Sequence, residues 1–360
     1  MWWRWCWTRR ARPCVWRITQ TWPEVEVDAD DAAADDAGPF PPPRRIPVIF
    51  GPTAVGKSAL ALALAAALDG EIVSLDSRQM VRGMDVGTAK PSAAELAQVP
   101  HHLVDIAGPE RSPSMSEVQA LAYGAIDAIL GRGRLPVLAG GTGQYLRAIL
   151  EGWTIPAVPP DPALRAALEA EAAAEGAAAL HDRLALQDPA AAASIDPRNL
   201  RRLIRALEVI QHSGRPFSDQ SGRKGAPHPW LIVALGRPRD VLYARIDRRI
   251  DAMLEAGLED ELRGLLAAGH GWELPAMRSV GYQEWAAYLR GEIDRAEVLR
   301  LIRHNTRRMV RSQDNWLRNL DLPVLALDLG DGEVGEAEVE RVLAALDDDE
   351  AVGSTKVREI

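Results

Sequence analysis

The sequence predicts an α/β fold, a parallel sheet flanked by helices and interrupted by a mostly helical insertion, on three observations. An apolar run at 46–50 leads into the octet Gly51-Pro52-Thr53-Ala54-Val55-Gly56-Lys57-Ser58, and a helical stretch follows it. Short apolar runs at 46–50, 72–75, 103–106 and 135–139 alternate with helix-period segments, the pattern of strands joined by crossover helices. Residues 159–228 are rich in Ala and Arg and read as helical throughout.

The octet fits G-x-x-x-x-G-K-[ST] in the strand–loop–helix setting that the pattern requires, which makes the core P-loop NTPase-like. Gly51 and Gly56 let the backbone wrap an anion, Lys57 adds a point charge, and the Ser58 hydroxyl suits Mg2+. The runs at 72–75 and 103–104 each end in an aspartate, Asp76 and Asp105. Each is either a carboxylate delivered to the phosphate edge of the sheet, near Mg2+ through water, or a helix N-cap. Ser114-Met115-Ser116-Glu117 is a capping box that opens a helix. Gly140-Gly141-Thr142-Gly143 follows a third strand and is either a second ligand-facing turn or a structural loop. After the insertion, a strand at 231–235, a long helix from Pro238, a strand at 324–327 and a helix at 336–346 complete the core.

The chain of 360 residues exceeds one ordinary domain. The expected organisation is an extension at 1–45, disordered or the product of a start assigned too far upstream; a core at 46–158 and 229–346; the insertion at 159–228; and a loose tail at 347–360. No apolar run is long enough to cross a bilayer. A net charge of -9 argues against a generally basic RNA binder, so local arginine patterning has to carry any RNA contact. Leu200, Leu203, Ile204 and Leu207 pack inward at helical spacing and leave Arg198, Arg201 and Arg205 along another face. Arg303, Arg307 and Arg311, with Arg318 beyond them, form a second basic rail. Cys6 and Cys14 supply neither a metal cluster nor a disulfide framework, which fits a reducing cytoplasm.

Taken together, the octet, Asp76-Ser77-Arg78-Gln79, the segment 83–91, Pro100-His101-His102-Leu103 with Asp105, Gly140-Gly141-Thr142, the segment 201–208, Arg278-Ser279-Val280-Gly281-Tyr282 and Thr306-Arg307-Arg308 resemble the tRNA dimethylallyltransferases in order and spacing. The resemblance covers about 46–320, and the stretch 76–91 is its most specific part. It implies transfer of a dimethylallyl group from dimethylallyl diphosphate to N6 of the adenosine at tRNA position 37, beside the anticodon, with release of diphosphate. By the same match Asp76 is the general base and Thr142 sits opposite, near the bridging oxygen. The loop from Gly51 to Ser58 then holds the leaving diphosphate with Mg2+ on Ser58. Arg239 either joins it or is a solvated first-turn arginine.

For the tRNA anticodon stem-loop the match implies Asp76, Ser77, Arg78, Gln79 and Thr142 near the chemistry, and Arg165, Arg201, Arg202, Leu203, Ile204 and Arg205 on the insertion. Arg278, Ser279, Val280, Gly281, Tyr282, Gln283, Thr306, Arg307, Arg308, Arg311 and Gln313 complete the path, along which the target base is expected to flip out of its stack. Val81 stands where the family usually has Tyr, which bears on the adenine pocket, and the missing Cys/His cluster points to the bacterial form. A monomer is expected. The alternatives are a small-molecule kinase, a non-catalytic RNA-binding switch and an adenylate isopentenyltransferase.

Overall fold

The computed structural model describes residues 45–318 and 322–347; the expectations for residues 1–44, the tail from 348 and the Arg318 side chain lie outside them. Strand β1 (Ile46–Phe50) is buried along its whole length and runs through the octet into α1 (Lys57–Ala67). β2 (Glu71–Ser74), α2 (Ala93–Gln98), β3 (His101–His102), α3 (Met115–Gly131), β4 (Pro136–Gly140) and α4 (Gly143–Leu150) follow. A short antiparallel ribbon, β5 (Trp153–Thr154) with β6 (Gly222–Arg223), closes the base of the insertion. Between its strands run α5 (Pro162–Glu175), α6 (Ala177–Gln187), α7 (Pro189–Ser194), α8 (Leu200–Ser213) and α9 (Phe217–Gln220). β7 (Trp230–Gly236) returns to the sheet, and α10 (Arg239–Glu255), α11 (Leu258–Ala267), α12 (Trp285–Leu289), α13 (Arg295–Arg318), β8 (Leu325–Asp328) and α14 (Glu336–Asp347) complete the fold.

The six-stranded sheet has the order β3-β2-β4-β1-β7-β8, with every pairing parallel. β4 lies between β1 and β2, so the ends of these three strands sit side by side and bring the octet, Asp76 and the Gly-Gly-Thr turn to one edge. Apolar clusters cover both faces. One contains Ile49, Leu60, Leu64, Val233 and Ile246, and the other Val48, Phe50, Val73, Ile126 and Ile149. A third cluster, with Leu168, Leu180, Leu184, Leu203 and Leu207, is the insertion's own core.

Several helices are capped by a side chain, whereas α6, α9, α11 and α12, as well as those that start at the site, are not. Ser92, Ser114, Asp161, Asp188 and Asn199 cap α2, α3, α5, α7 and α8 through their side chains. The starts of α1, α4 and α10 have no side-chain cap, and α1 and α4 open at the edge where the octet and the Gly-Gly-Thr turn lie. Their first amides are left to a ligand or to water.

The strand expected at 103–106 is cut short. Only His101 and His102 pair with β2, and Leu103 (φ 63) and Asp105 (φ 57) then turn into the left-handed region, which ends extended pairing. Asp105 meets the Lys90 ammonium, which also reaches Asp85 at 2.6 Å, so its carboxylate is paired with that lysine. Val81 is buried in the core, bridges Ala107 and does not line the central cavity.

Candidate active site

A cavity of about 300 Å³ lies at the strand ends, and Asp76 and Thr142 both line it. Asp76 follows the buried end of β2, where its carboxylate accepts the Arg78 amide at 2.9 Å. Thr142 ends the turn after β4; its hydroxyl accepts the Ser77 amide at 3.1 Å and donates to the Ser77 hydroxyl at 3.3 Å. Gly140 is required at this close approach, since a Cβ there would lie 2.3 Å from the Leu75 carbonyl oxygen. Thr53 contributes from the octet, and Ile250, Met253, Leu258, Ile302 and Met309 give the cavity an apolar side.

Lys57 folds back onto the carbonyls of Gly51 and Pro52, at 2.9 and 2.8 Å. Burial brings its pKa down to about 8; the Asp76 charge opposes the shift and Arg249 adds to it. Ser58 is exposed and shares a small adjoining cleft with Lys57 and Asp76. The Ser58 hydroxyl beside an uncapped helix start is an oxygen donor of the kind a Mg2+ shared with a diphosphate takes, so it fits the ion.

Three α10 arginines, Arg245, Arg248 and Arg249, line the cleft outside the octet, and of these Arg249 also lines the central cavity. Arg239 sits at the start of the helix, donates to Asp314 at 2.8 Å, and lines neither the cavity nor the clefts beside the octet. Arg249 is half-buried, lines the central cavity and also the cleft outside Lys57 and Ser58, and faces Asp76. Burial lowers its pKa, against the field of Asp76. A signal was present in the sequence, because Ile246, Arg249, Ile250 and Met253 follow the spacing of an inward face. Arg245 and Arg237 brace the octet from outside by donating to the carbonyls of Ala54 and Val55, at 3.0 and 2.7 Å.

Other expected site residues separate into groups. Arg78 crosses the cavity to donate to the Val280 carbonyl at 3.0 Å, and Gln313 ties the Thr53 amide (2.9 Å) to the Gly141 carbonyl (3.1 Å). Gln79 is used up internally, accepting from Ser74 and donating to the Ala89 carbonyl. Leu203, Ile204 and Tyr282 are buried, so their side chains are removed from any RNA surface; inward helical spacing puts the first two in the insertion core. Thr306 is also buried by residue, though it borders the cavity with Val280, Gly281 and Gln313.

Neither arginine rail is a free basic stripe. Arg198 pairs with Asp196 at 2.7 Å, while Arg165 and Arg205 converge on the fully buried Glu208 carboxylate, each at 2.7 Å. On α13, Arg303 pairs with Asp251, and Arg307 with Asp247 while its guanidinium lies over the Tyr243 ring at 5.0 Å. Sequence spacing shows which face a side chain takes and is blind to the acids on the helix packed against it. Arg201, Arg202, Arg278, Gln283, Arg308 and Arg311 remain exposed, and Ser279 is half-exposed.

This geometry agrees with comparison to known proteins. The model of the IPP transferase family matches residues 79–320, and that of isopentenyl transferases matches 44–105. A tRNA dimethylallyltransferase of Roseiflexus sp. is 52% identical over 285 residues, covering 78% of this chain and 93% of its own. One from Chloroflexus aggregans is 54% identical over 272 residues, covering 76% and 92%. The full-length tRNA isopentenylpyrophosphate transferase of Bacillus halodurans superposes with a TM-score of 0.62 at 39% identity, over 85% of this chain and 97% of that one. A eukaryotic dimethylallyltransferase solved acting on tRNA shares the fold, with a TM-score of 0.69 at 24% identity over 80% and 75% of the two chains. With its fold and two thirds of its length matched in this way, the chain belongs to the IPP transferase family, in its bacterial form.

Proposed function

We propose that the chain transfers the dimethylallyl group of dimethylallyl diphosphate to N6 of the adenosine at position 37 of tRNA, and releases diphosphate. The observation that carries this reading is the placement of the Asp76 carboxylate and the Thr142 hydroxyl on one cavity, beside an octet whose helix has no protein cap. The N6 lone pair is delocalised into the purine, so the amine needs a proton acceptor, close positioning and a stabilised leaving group. Asp76 accepts the N6 proton as the N6–C1 bond forms and the C1–O bond breaks. Thr142 faces the departing oxygen, and Lys57, Arg249 and the free amides of α1 take up the charge that grows on the diphosphate. A Mg2+ held by Ser58 and phosphate oxygens would screen that charge further.

The acceptor is an anticodon stem-loop. Its phosphates meet the exposed Arg201, Arg202, Arg278, Arg308 and Arg311, while the flipped base enters past residues 278–281 toward Asp76. The protein works as a monomer in the cytoplasm. Kinase chemistry would give no reason for the stretch 76–91 as a whole or for the exposed arginines.

The test is to incubate the protein with dimethylallyl diphosphate, Mg2+ and either unmodified tRNA, AMP or ATP, and to see which acceptor gains the prenyl mass. Gain on tRNA alone is expected, with Asp76→Asn lowering the single-turnover rate by about 10²–10⁴ while tRNA affinity stays close to wild type. Prenylation of AMP and not of tRNA would replace this reading with the adenylate one.

A further inference from the structure

Glu261, on α11, gathers four hydrogen-bond donors on one carboxylate. One oxygen accepts the amides of Asp85 (2.6 Å) and Val86 (2.7 Å). The other accepts the Gly87 amide (3.1 Å) and the Tyr282 hydroxyl (2.6 Å). The Tyr282 ring is buried, and burial followed by the Glu261 bond raises its pKa, so the phenol stays a donor. Gly87 is pressed against that ring, where a Cβ would lie 2.5 Å from the phenol oxygen and 2.7 Å from Leu258.

The three segments joined here all border the reactive cavity. Gly87 and Thr88 come from the loop after β2, Leu258 from the start of α11, and Val280 and Gly281 from the turn before Tyr282. Val280 in turn receives Arg78, whose amide donates to Asp76. A continuous set of hydrogen bonds and contacts therefore runs from Glu261 to the carboxylate proposed to take the N6 proton.

We propose that Glu261 is a positioning residue. Its carboxylate latches residues 85–87 to Tyr282 and fixes the cavity wall against which the acceptor adenine is seated opposite Asp76. This rests on the prenyl-transfer reading above, but its physical core does not. An ionised carboxylate accepts on both oxygens, and charge-assisted bonds are about twice as strong as neutral ones. A carboxamide in the same place must turn its NH2 toward one of the two donor pairs, so Glu261→Gln leaves two donors unsatisfied at unchanged volume.

The test uses the full-length chain with Glu261→Gln, Tyr282→Phe and, as a surface control on the same helix, Glu259→Gln, which faces Arg263 and Arg295. Single-turnover transfer, KM for tRNA and for dimethylallyl diphosphate, and amide exchange at residues 85–87 are measured. Glu261→Gln should speed exchange at those amides by about tenfold or more, lower the transfer rate per folded molecule by about tenfold, and raise KM for tRNA. KM for the diphosphate substrate should stay within about twofold, since the octet is untouched. Tyr282→Phe removes one donor of four and should shift the same readouts in the same direction by less, which keeps the proposal testable if Glu261→Gln folds poorly. A general structural role would lower the folded fraction and leave the per-molecule rate and both KM values at wild type, and that result overturns the proposal, as does unchanged exchange at residues 85–87. If the wild-type protein prenylates no tRNA, the proposed function falls, while the exchange readout still decides whether the latch exists.

Discussion

Glu208 offers the sharpest check on how the insertion is held. Its side chain is 0% exposed, and it accepts the Asp161 amide at 2.7 Å, two bonds from Arg165 at 2.7 and 2.8 Å, and one from Arg205 at 2.7 Å. Burial alone would raise its pKa; the arginines and the Asp161 amide outweigh burial and bring it down to about 2. A carboxylate depressed in the folded state contributes stability that is fully present above its unfolded pKa near 4.5 and is lost as pH falls through about 2. A shift of that size corresponds to about 3 kcal/mol, but Arg165 is 39% exposed and Arg205 26%, so solvent screening reduces the expected figure to about 2 kcal/mol. Glu208→Ala should cost somewhat more at pH 7, about 2–3 kcal/mol, because it also takes the acceptor from the Asp161 amide and leaves a gap where the buried carboxylate stood, while Arg205 keeps the Pro156 and Val158 carbonyls. Urea unfolding of the full-length chain from pH 7 to pH 3, with hydrogen exchange of residues 159–228 as the local probe, measures both effects. Wild type should lose stability below pH 4.5 more steeply than Glu208→Gln. Equal slopes in that window, or a Glu208→Ala protein as stable as wild type at pH 7, would refute the argument.

Arg249→Ala removes the cation between Asp76 and the octet, and should raise KM for dimethylallyl diphosphate by about tenfold or more with tRNA affinity little changed, as steady-state kinetics with each substrate varied would show. Gly140→Ala forces a Cβ to 2.3 Å from the Leu75 carbonyl oxygen, where backbone has to give way; a loss of about 1–3 kcal/mol in thermal unfolding is expected. Gln313→Leu cuts the link from α13 to the Thr53 amide and the Gly141 carbonyl, so amide exchange at Thr53 should accelerate and kcat/KM for the diphosphate should fall several-fold, by about 1 kcal/mol.

Much of the site was readable before the fold. The octet fits its pattern through glycines, lysine and hydroxyl at a set spacing, and the structure has the strand before it and the helix after it that this pattern requires. Asp76 and Thr142 were legible as strand-end residues, since an apolar run ending in a polar residue is what a buried parallel strand leaves at its edge. The Ser114 capping box, a purely local device, appears as expected. The arginines were less readable. Spacing places Arg205, Arg303 and Arg307 on basic helix faces, and it does not show that each of them, like Arg165, meets a carboxylate on another element or across a helix turn. Arg239 and Arg249 lie on one helix, and the way that helix packs beside the octet selects the second.

The sequence by itself determined the groups available: a glycine- and lysine-bearing loop between strand and helix, a carboxylate and a hydroxyl at strand ends, and an α/β core to hold them. Tertiary structure alone decided which α10 arginine lines the central cavity, which arginines pair with carboxylates and which stay exposed, and that Glu261 meets the amides of residues 85–87 and the Tyr282 hydroxyl. The reason is range. Backbone conformation and capping are settled within a few residues, whereas the pairing of a charge is settled by whatever element packs against it, and Glu261 lies far along the chain from the amides it holds.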